Sequence, residues 1–266
     1  MNPAAANATL PHDTGFAGRV ALVTGGTGGI GRAVAAALVA RGATVIAADI
    51  GIAADPAKST FEAASATAFH LDVTRKVEVD ALIARIAASL GRLDMLVNVA
   101  GVVSHGSAAN LAEAEWDRVM DINLKGTFLA SQAAIAPMKA QRYGRIVNLG
   151  SVVGKNGGNA RPWLSPDEQT HAANVAYGVS KAGVHAMTSF FAKELAAFGI
   201  TVNAVAPGPI ATSMTTNFPA NLTALVPAGR MGTMDEVVAA ILFLLSPTSA
   251  YVTGEVLDVN GGLWCD

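Results

Sequence analysis

Cysteine is almost missing from this chain. The single Cys265, next to the C-terminus, excludes an intrachain disulfide framework and fits a reducing compartment such as the cytoplasm. Charge is also scarce, at 14% of residues, and nearly balanced, with a formal net of -2 and a sequence pI near 6.2. No basic run concentrates it, so neither nucleic acid nor an anionic membrane is an expected partner. Long apolar runs are lacking too: the longest, VVAAILFLLS at 237–246, is short of a membrane span and ends at Pro247. The opening MNPAAANATLPHDTG has no basic stretch followed by an apolar core, so residues 1–15 read as a loose tail and not as a secretory signal. His171, Asp167 and Glu168 lack metal-ligand spacing, and no catalytic metal is expected.

What is abundant is apolar sequence, 52% of 266 residues, punctuated by 27 glycines. That length suits one large domain over 16–266, and no composition break or repeat divides it. Short β-branched runs alternate with helical patterns: RVALVT (19–24), TVIAA (44–48), TAFHLDV (67–73), DMLVNV (94–99), RIVNLGS (145–151), ITVNAVAP (200–207) and EVLDVN (255–260). Between them lie helical stretches near 75–89, 111–140, 174–198 and 234–245. Continuous apolar strands alternating with helices predict a doubly wound, mostly parallel α/β sheet with helices on both faces.

The first motif with chemistry is TGGTGGIGRA at 24–33, between the first strand and the first helix. Glycines let backbone approach a diphosphate, and a helix N-terminus offers it unpaired N–H groups. Taken alone, a turn built only for tight strand–helix packing looks the same. Asp49, 18 residues after Gly31 and at the end of the second strand, adds a carboxylate where a ribose diol would sit. A dinucleotide fits best.

The glycines follow TGxxxGxG spacing, and the chain resembles the short-chain dehydrogenase/reductase family from Arg19 to about Gly262. The resemblance rests on separated motifs in the family's order: TGGTGGIG, LDV (71–73), NVAG (98–101), Asn123 in DINLKGTF, Ser151 in GSVVG, YGVSK (177–181) and PGPIAT (207–212). It implies that Tyr177 is the general acid or base and that Ser151 holds the substrate oxygen. Lys181 would bond the nicotinamide ribose, and Asn123, at a helix irregularity, would hold a water linking Lys181 to solvent. Tyr177 and Lys181, four apart on one helix, share a face. A free phenol titrates about three units above neutrality, roughly 4 kcal/mol, and a positive charge about 4 Å away supplies a similar energy at an effective dielectric of about 20. Lysine is therefore expected to tune the phenol downward.

For the cofactor, the resemblance implies contacts from Gly25, Thr27, Gly28, Gly29, Ile30 and Gly31 in the glycine loop. It also implies Asp72 and Val73 beside the adenine, Asn98, Ala100 and Gly101 along the adenosine ribose, and Pro207, Ile210 and Thr212 near the carboxamide. Asp49 would repel a 2′-phosphate, Thr27 and Gly28 fill the loop and Ile50 follows Asp49 where an Arg or Lys could bind one, so NAD is expected over NADP. Val99 departs from the family's usual second Asn, which puts one local bond in doubt.

Substrate identity is less legible. Ser151 and Tyr177 are 26 residues apart, about twice the family's usual spacing, so 155–173 carries an insertion, either a plain surface loop or a flap bearing Trp163 and Leu164. Residues 213–227, with Met214, Phe218 and Leu222, fall where the family has a mobile substrate lid. The leading reading is an NAD-dependent dehydrogenase of a small secondary alcohol or ketone. A second is a 3-oxoacyl-acyl-carrier-protein reductase. Such enzymes usually prefer NADPH and offer basic residues to the carrier; Arg142 would suit that, whereas Phe198 and Asp49 would not. A third, a dinucleotide-sensing protein without catalysis, would have no use for both Tyr177 and Lys181, and a methyltransferase would not need YGVSK. The family's habit and the apolar circumference of 175–198 imply a homotetramer.

Overall fold

A computed structural model describes residues 15–53, 65–158, 163, 165–211 and 223–265. The tail, Thr212, Leu164 and most of the 213–227 segment lie outside the described residues. Seven strands alternate with helices: β1 (Val20–Thr24), α1 (Gly29–Val39), β2 (Thr44–Asp49), β3 (Ala66–His70), α2 (Lys76–Leu90) and β4 (Met95–Asn98). Then come α3 (Glu113–Val119), a π-helical turn (Met120–Lys125), α4 (Gly126–Gln141), β5 (Gly144–Leu149), α5 (Val153–Asn156) and α6 (Pro166–His171). The chain ends with α7 (Val175–Leu195), β6 (Ile200–Pro207), α8 (Met234–Leu245) and β7 (Val256–Val259). The strands pair in parallel in the order β3-β2-β1-β4-β5-β6-β7.

The period of two decides which side chain meets which helix layer. Val20 and Leu22 of β1 join Ile83 and Ile86 of α2 and Leu129 and Met138 of α4 on one face. Ala21 and Val23 join Val34 and Leu38 of α1 and Ile241 and Leu245 of α8 on the other. Every residue of β1, β4 and β6 is buried, which is why these runs read as mostly apolar, with Thr24, Asn98, Thr201 and Asn203 buried among them. At the N-terminal edge Asp94, fully buried, takes Arg19 at 2.8 Å, Arg92 at 2.6 Å and the Val20 N–H at 2.9 Å. Burial alone would raise its pKa; the bonds from Arg92, Val20 and Arg19 outweigh that and hold it below the ordinary carboxylate value.

Two boundaries differ from the sequence expectation. β3 stops at His70, because the Asp72 carboxylate accepts from the Thr74 N–H at 2.9 Å and hydroxyl at 2.7 Å, bending the chain into α2. The helix expected over 111–140 is α3 and α4 joined through the π-helical turn. Strand order reverses between β1 and β4, and a crevice at such a switch point, outside the C-terminal strand ends, is where doubly wound sheets bind ligands.

Candidate active site

The glycine loop after β1 turns on backbone that only glycine tolerates. Gly25 has φ 64°, and a Cβ there would lie 2.9 Å from Ala100 Cα; one on Gly31 would collide with the Gly25 carbonyl. Added Cβ atoms on Gly28 and Gly29 would instead meet open space. The first turn of α1 beside them, where Ile30 packs, has no side-chain cap; Arg32 N donates to Gly28 O at 3.0 Å, and a helix N-terminus leaves its earlier N–H groups without an intrahelical acceptor. A diphosphate fits this cradle by its charge and by its acceptors. Asp49, closing β2, accepts from Thr27 N at 3.3 Å and from Gly51 N at 3.0 Å. Burial pushes it up, but these bonds prevail and keep it below the ordinary value, a carboxylate anchored against the loop.

At the end of β4, the Thr24 hydroxyl accepts from Val99 N at 3.2 Å and Ala100 N at 3.3 Å. Val99 packs into the α1–α8 core, which replaces a polar bond by apolar burial. The Asn98 side chain turns away from the crevice to Ser131 at 3.0 Å and Asn148 at 2.8 Å. The Asp72 carboxylate is likewise occupied by Thr74, and Val73 is buried against Gly126.

Asn123 lies in the π-helical turn, fully buried. Its Oδ1 accepts from Val102 N at 2.8 Å, and its Nδ2 donates to Val102 O at 2.9 Å and Ser180 Oγ at 3.0 Å. This fastens the loop bearing Gly101, whose Cβ, if it had one, would lie 3.6 Å from Lys181 Nζ. The Asn123 carbonyl already accepts from Thr127 Oγ1 at 2.8 Å.

Tyr177 and Lys181 stand one turn apart in α7. Asn174 caps this helix, accepting from Tyr177 N at 3.2 Å while donating to Ser104 Oγ at 2.7 Å and His105 O at 3.2 Å. One amide thus fixes the turn that carries the phenol and the loop after β4. This Asn, three before the Tyr, is an N-cap signature the sequence reading passed over. Lys181, 4% exposed, donates to Leu149 O at 2.7 Å, with Nζ 5.8 Å from the Tyr177 ring centroid. Burial lowers its pKa to about 8. Burial also raises the phenol above its ordinary value, against the opposing hydrogen bond to Ser151. The expected downward tuning of Tyr177 is therefore reversed: the enclosure that gathers the groups desolvates the phenolate and weakens the lysine's own charge. Ser151, 7% exposed, also accepts from Val153 N at 3.2 Å.

The insertion is strapped to the site's rim. Ser165 caps α6, and Ala173 then bridges His105 in antiparallel fashion, with Gly106 N donating to Ala172 O at 3.1 Å and Asn174 N to Ser104 O at 2.9 Å. Burial, assisted by the nearby His171, holds His105 below the ordinary imidazole value. Below the crevice, Pro207 O accepts from Val152 N at 2.9 Å, and Ile210, buried, is tied by its backbone to Gly232. Arg142 precedes β5, at the sheet edge remote from Tyr177 within one chain, and bonds Ala197 O at 3.1 Å. Among the described residues no three His, Cys, Asp or Glu side chains gather as for a metal, and no helix is long and apolar enough to cross a membrane.

A phenol, a serine hydroxyl and a lysine beside a loop that can cradle a diphosphate are groups able to serve proton transfer at a carbonyl or alcohol, and fold and site together fit an oxidoreductase of the dinucleotide-binding, doubly wound class. More narrowly, the chain belongs to the short-chain dehydrogenase/reductase family: a family model described as enoyl-(acyl carrier protein) reductase matches residues 25–264. The chain is 39% identical over 255 residues to the 3-oxoacyl-(acyl-carrier-protein) reductase FabG of Escherichia coli, covering 94% of this chain and 98% of the relative. To the protein of that name from Thermotoga maritima it is 41% identical over 255 residues, covering 92% and 98%. The crystal structure of gox2181 superposes with a TM-score of 0.81 at 32% identity, covering 94% and 97%.

Proposed function

We propose that this protein is an NAD(H)-dependent reductase of 3-oxoacyl thioesters, with Tyr177 as proton donor, Ser151 as holder of the reacting oxygen and Lys181 as ribose ligand. The near-full-length identity to 3-oxoacyl-(acyl-carrier-protein) reductases carries the substrate class and moves the weight from a general secondary-alcohol dehydrogenase to the second reading of the sequence. When bound, the nicotinamide supplies the hydride. The chain's part is to hold the 3-oxo group by Ser151 and to pass the Tyr177 proton to the oxygen as it becomes an alcohol. A phenol raised by burial is protonated at neutral pH, which suits an acid. Gly25, Gly28, Gly29 and Gly31 would line the diphosphate, and Asp49 the adenosine ribose.

The preference for NAD(H) rests on Asp49, a carboxylate fixed at the loop where a 2′-phosphate would have to lie. The same feature favours a second reading, oxidation of a simple secondary alcohol by the same residues. Initial rates with NADH and NADPH on acetoacetyl thioesters, beside simple ketones and alcohols, decide between them. Faster turnover of plain ketones than of any 3-oxoacyl thioester would favour the second.

The proposal includes a homotetramer. Phe190 is 78% exposed on α7, next to the stacked Phe128–Phe191 pair at 6.1 Å, and Phe243 and Tyr251 are uncovered near the C-terminal strand. Paired copies of these faces would bury them.

A further inference from the structure

We infer that His185 is a positioning residue for Ser151, setting the backbone from which the serine hydroxyl reaches the reacting oxygen. It lies on α7 one turn beyond Lys181, so that Tyr177, Lys181 and His185 form one stripe at successive intervals of four. Its ring is half-buried against the segment that follows β5.

The amides of that segment divide between two neighbours. Gly150 N donates to Val205 O at 2.8 Å and Val152 N to Pro207 O at 2.9 Å, both toward β6. Between these two amides, beyond the end of β5, the Ser151 N–H turns instead toward α7. There it donates to Nε2 of His185 at 3.3 Å. Ser151 is buried, and an amide left without an acceptor in that position would carry the desolvation cost of an unmet donor. The bond requires Nε2 to be bare, which places the ring hydrogen of neutral imidazole on Nδ1.

The space around the ring agrees. A Cβ on Gly150 would collide with Nε2 of His185, and one on Gly154 would lie 3.0 Å from its Cε1 and 2.7 Å from Ala182 N. The two glycines of GSVVG therefore let the segment close over the imidazole, with Ser151 held between them. Its Oγ accepts from Val153 N and its carbonyl from Gly154 N, so a shift of the Ser151 amide would move the whole turn.

This inference rests on the reading of Ser151 as holder of the substrate oxygen, and two measurements separate their fates. His185→Leu keeps bulk without the acceptor; His185→Gln restores an acceptor of similar reach. With a carbonyl substrate, His185→Leu is expected to lose roughly 10- to 100-fold in kcat, as for a catalytic group misplaced by a fraction of an ångström to an ångström. KM for the dinucleotide should be unchanged, and His185→Gln should recover most of kcat. Independently of turnover, hydrogen exchange over residues 150–154 should quicken in His185→Leu and return toward wild type in His185→Gln. Wild-type exchange and kcat within twofold in His185→Leu would overturn the inference, as would equal impairment of both variants. Should His185→Leu not fold, a folded His185→Gln that loses kcat as severely as Tyr177→Phe overturns it, and one within threefold of wild type supports it. Ser151→Ala, measured alongside, isolates the other premise: retained turnover there defeats the role of Ser151, while the exchange data still judge the anchoring.

Discussion

The ammonium of Lys181 and the ring of Tyr177 lie 5.8 Å apart on one helix face, and burial displaces their pKa values in opposite directions, the lysine down and the phenol up. Each group is thereby drawn toward its neutral form, which for the phenol is the form able to donate a proton.

Removing that proton tests the central role. Tyr177→Phe deletes one hydroxyl from a half-buried ring and leaves the cap by Asn174 intact. Turnover should fall by at least roughly 10²-fold, the lower range for loss of a general acid, while NADH binding followed by fluorescence stays within about twofold. More than a few per cent residual activity would refute the assignment.

Lys181 should cost stability below its pKa. The folded chain holds this lysine at about 8 against 10.5 for the free group. Between those values the unfolded chain binds the extra proton, so stability rises with pH through the window and the penalty is complete below it. Lys181→Met should therefore melt above wild type at pH 7, with the gap closing toward pH 10.5, even as turnover is lost. Thermal melts on both sides of the window check this; a lower melting point for the Met variant at pH 7 counts against it.

Asp49→Ser should narrow the preference for NADH over NADPH. On the proposed reading the carboxylate would both accept from a ribose diol and repel a 2′-phosphate, and losing the two effects together should shift the ratio of kcat/KM values by roughly tenfold or more, about 1.4 kcal/mol. An unchanged ratio would mean that the ribose lies elsewhere.

Assembly can be weighed directly. Light scattering should give about four times the 27.0 kDa chain mass, and Phe190→Asp, which places a charge on the most exposed Phe of α7, should reduce it. A wild-type mass of one chain at micromolar concentration would dispose of the tetramer.

The sequence made the sheet legible because strands such as VALVT and ITVNAVAP are buried on both faces and are mostly apolar, their few polar residues, Thr24, Thr201 and Asn203, being buried with the rest. Within the site, the stripe of Tyr177 and Lys181 was readable from helical spacing alone. The sign of the phenol's displacement was not, because it depends on how closely the fold packs around the hydroxyl, and a pairwise charge estimate omits that. Asn98 was legible as a position but not as an orientation: its amide answers Ser131 and Asn148, partners 33 and 50 residues away. His185 escaped notice for the same reason, since its significance lies in the N–H of Ser151, a partner 34 residues away.

The place of β1 in the interior of the sheet also bears on how the chain acquires its shape. β1 pairs with β2 on one side and with β4 on the other, Val23 meeting Ala47 and Val97. Parallel neighbours cannot form by a tight hairpin, so the ribosome has released β1 well before its second partner exists. Until β4 emerges, VALVT is an apolar edge open to any other strand. Folding of the crevice thus waits on pairings between segments distant in sequence, the kind whose closure costs the most chain entropy, and β1 keeps an unpaired edge until the strand from Met95 is available.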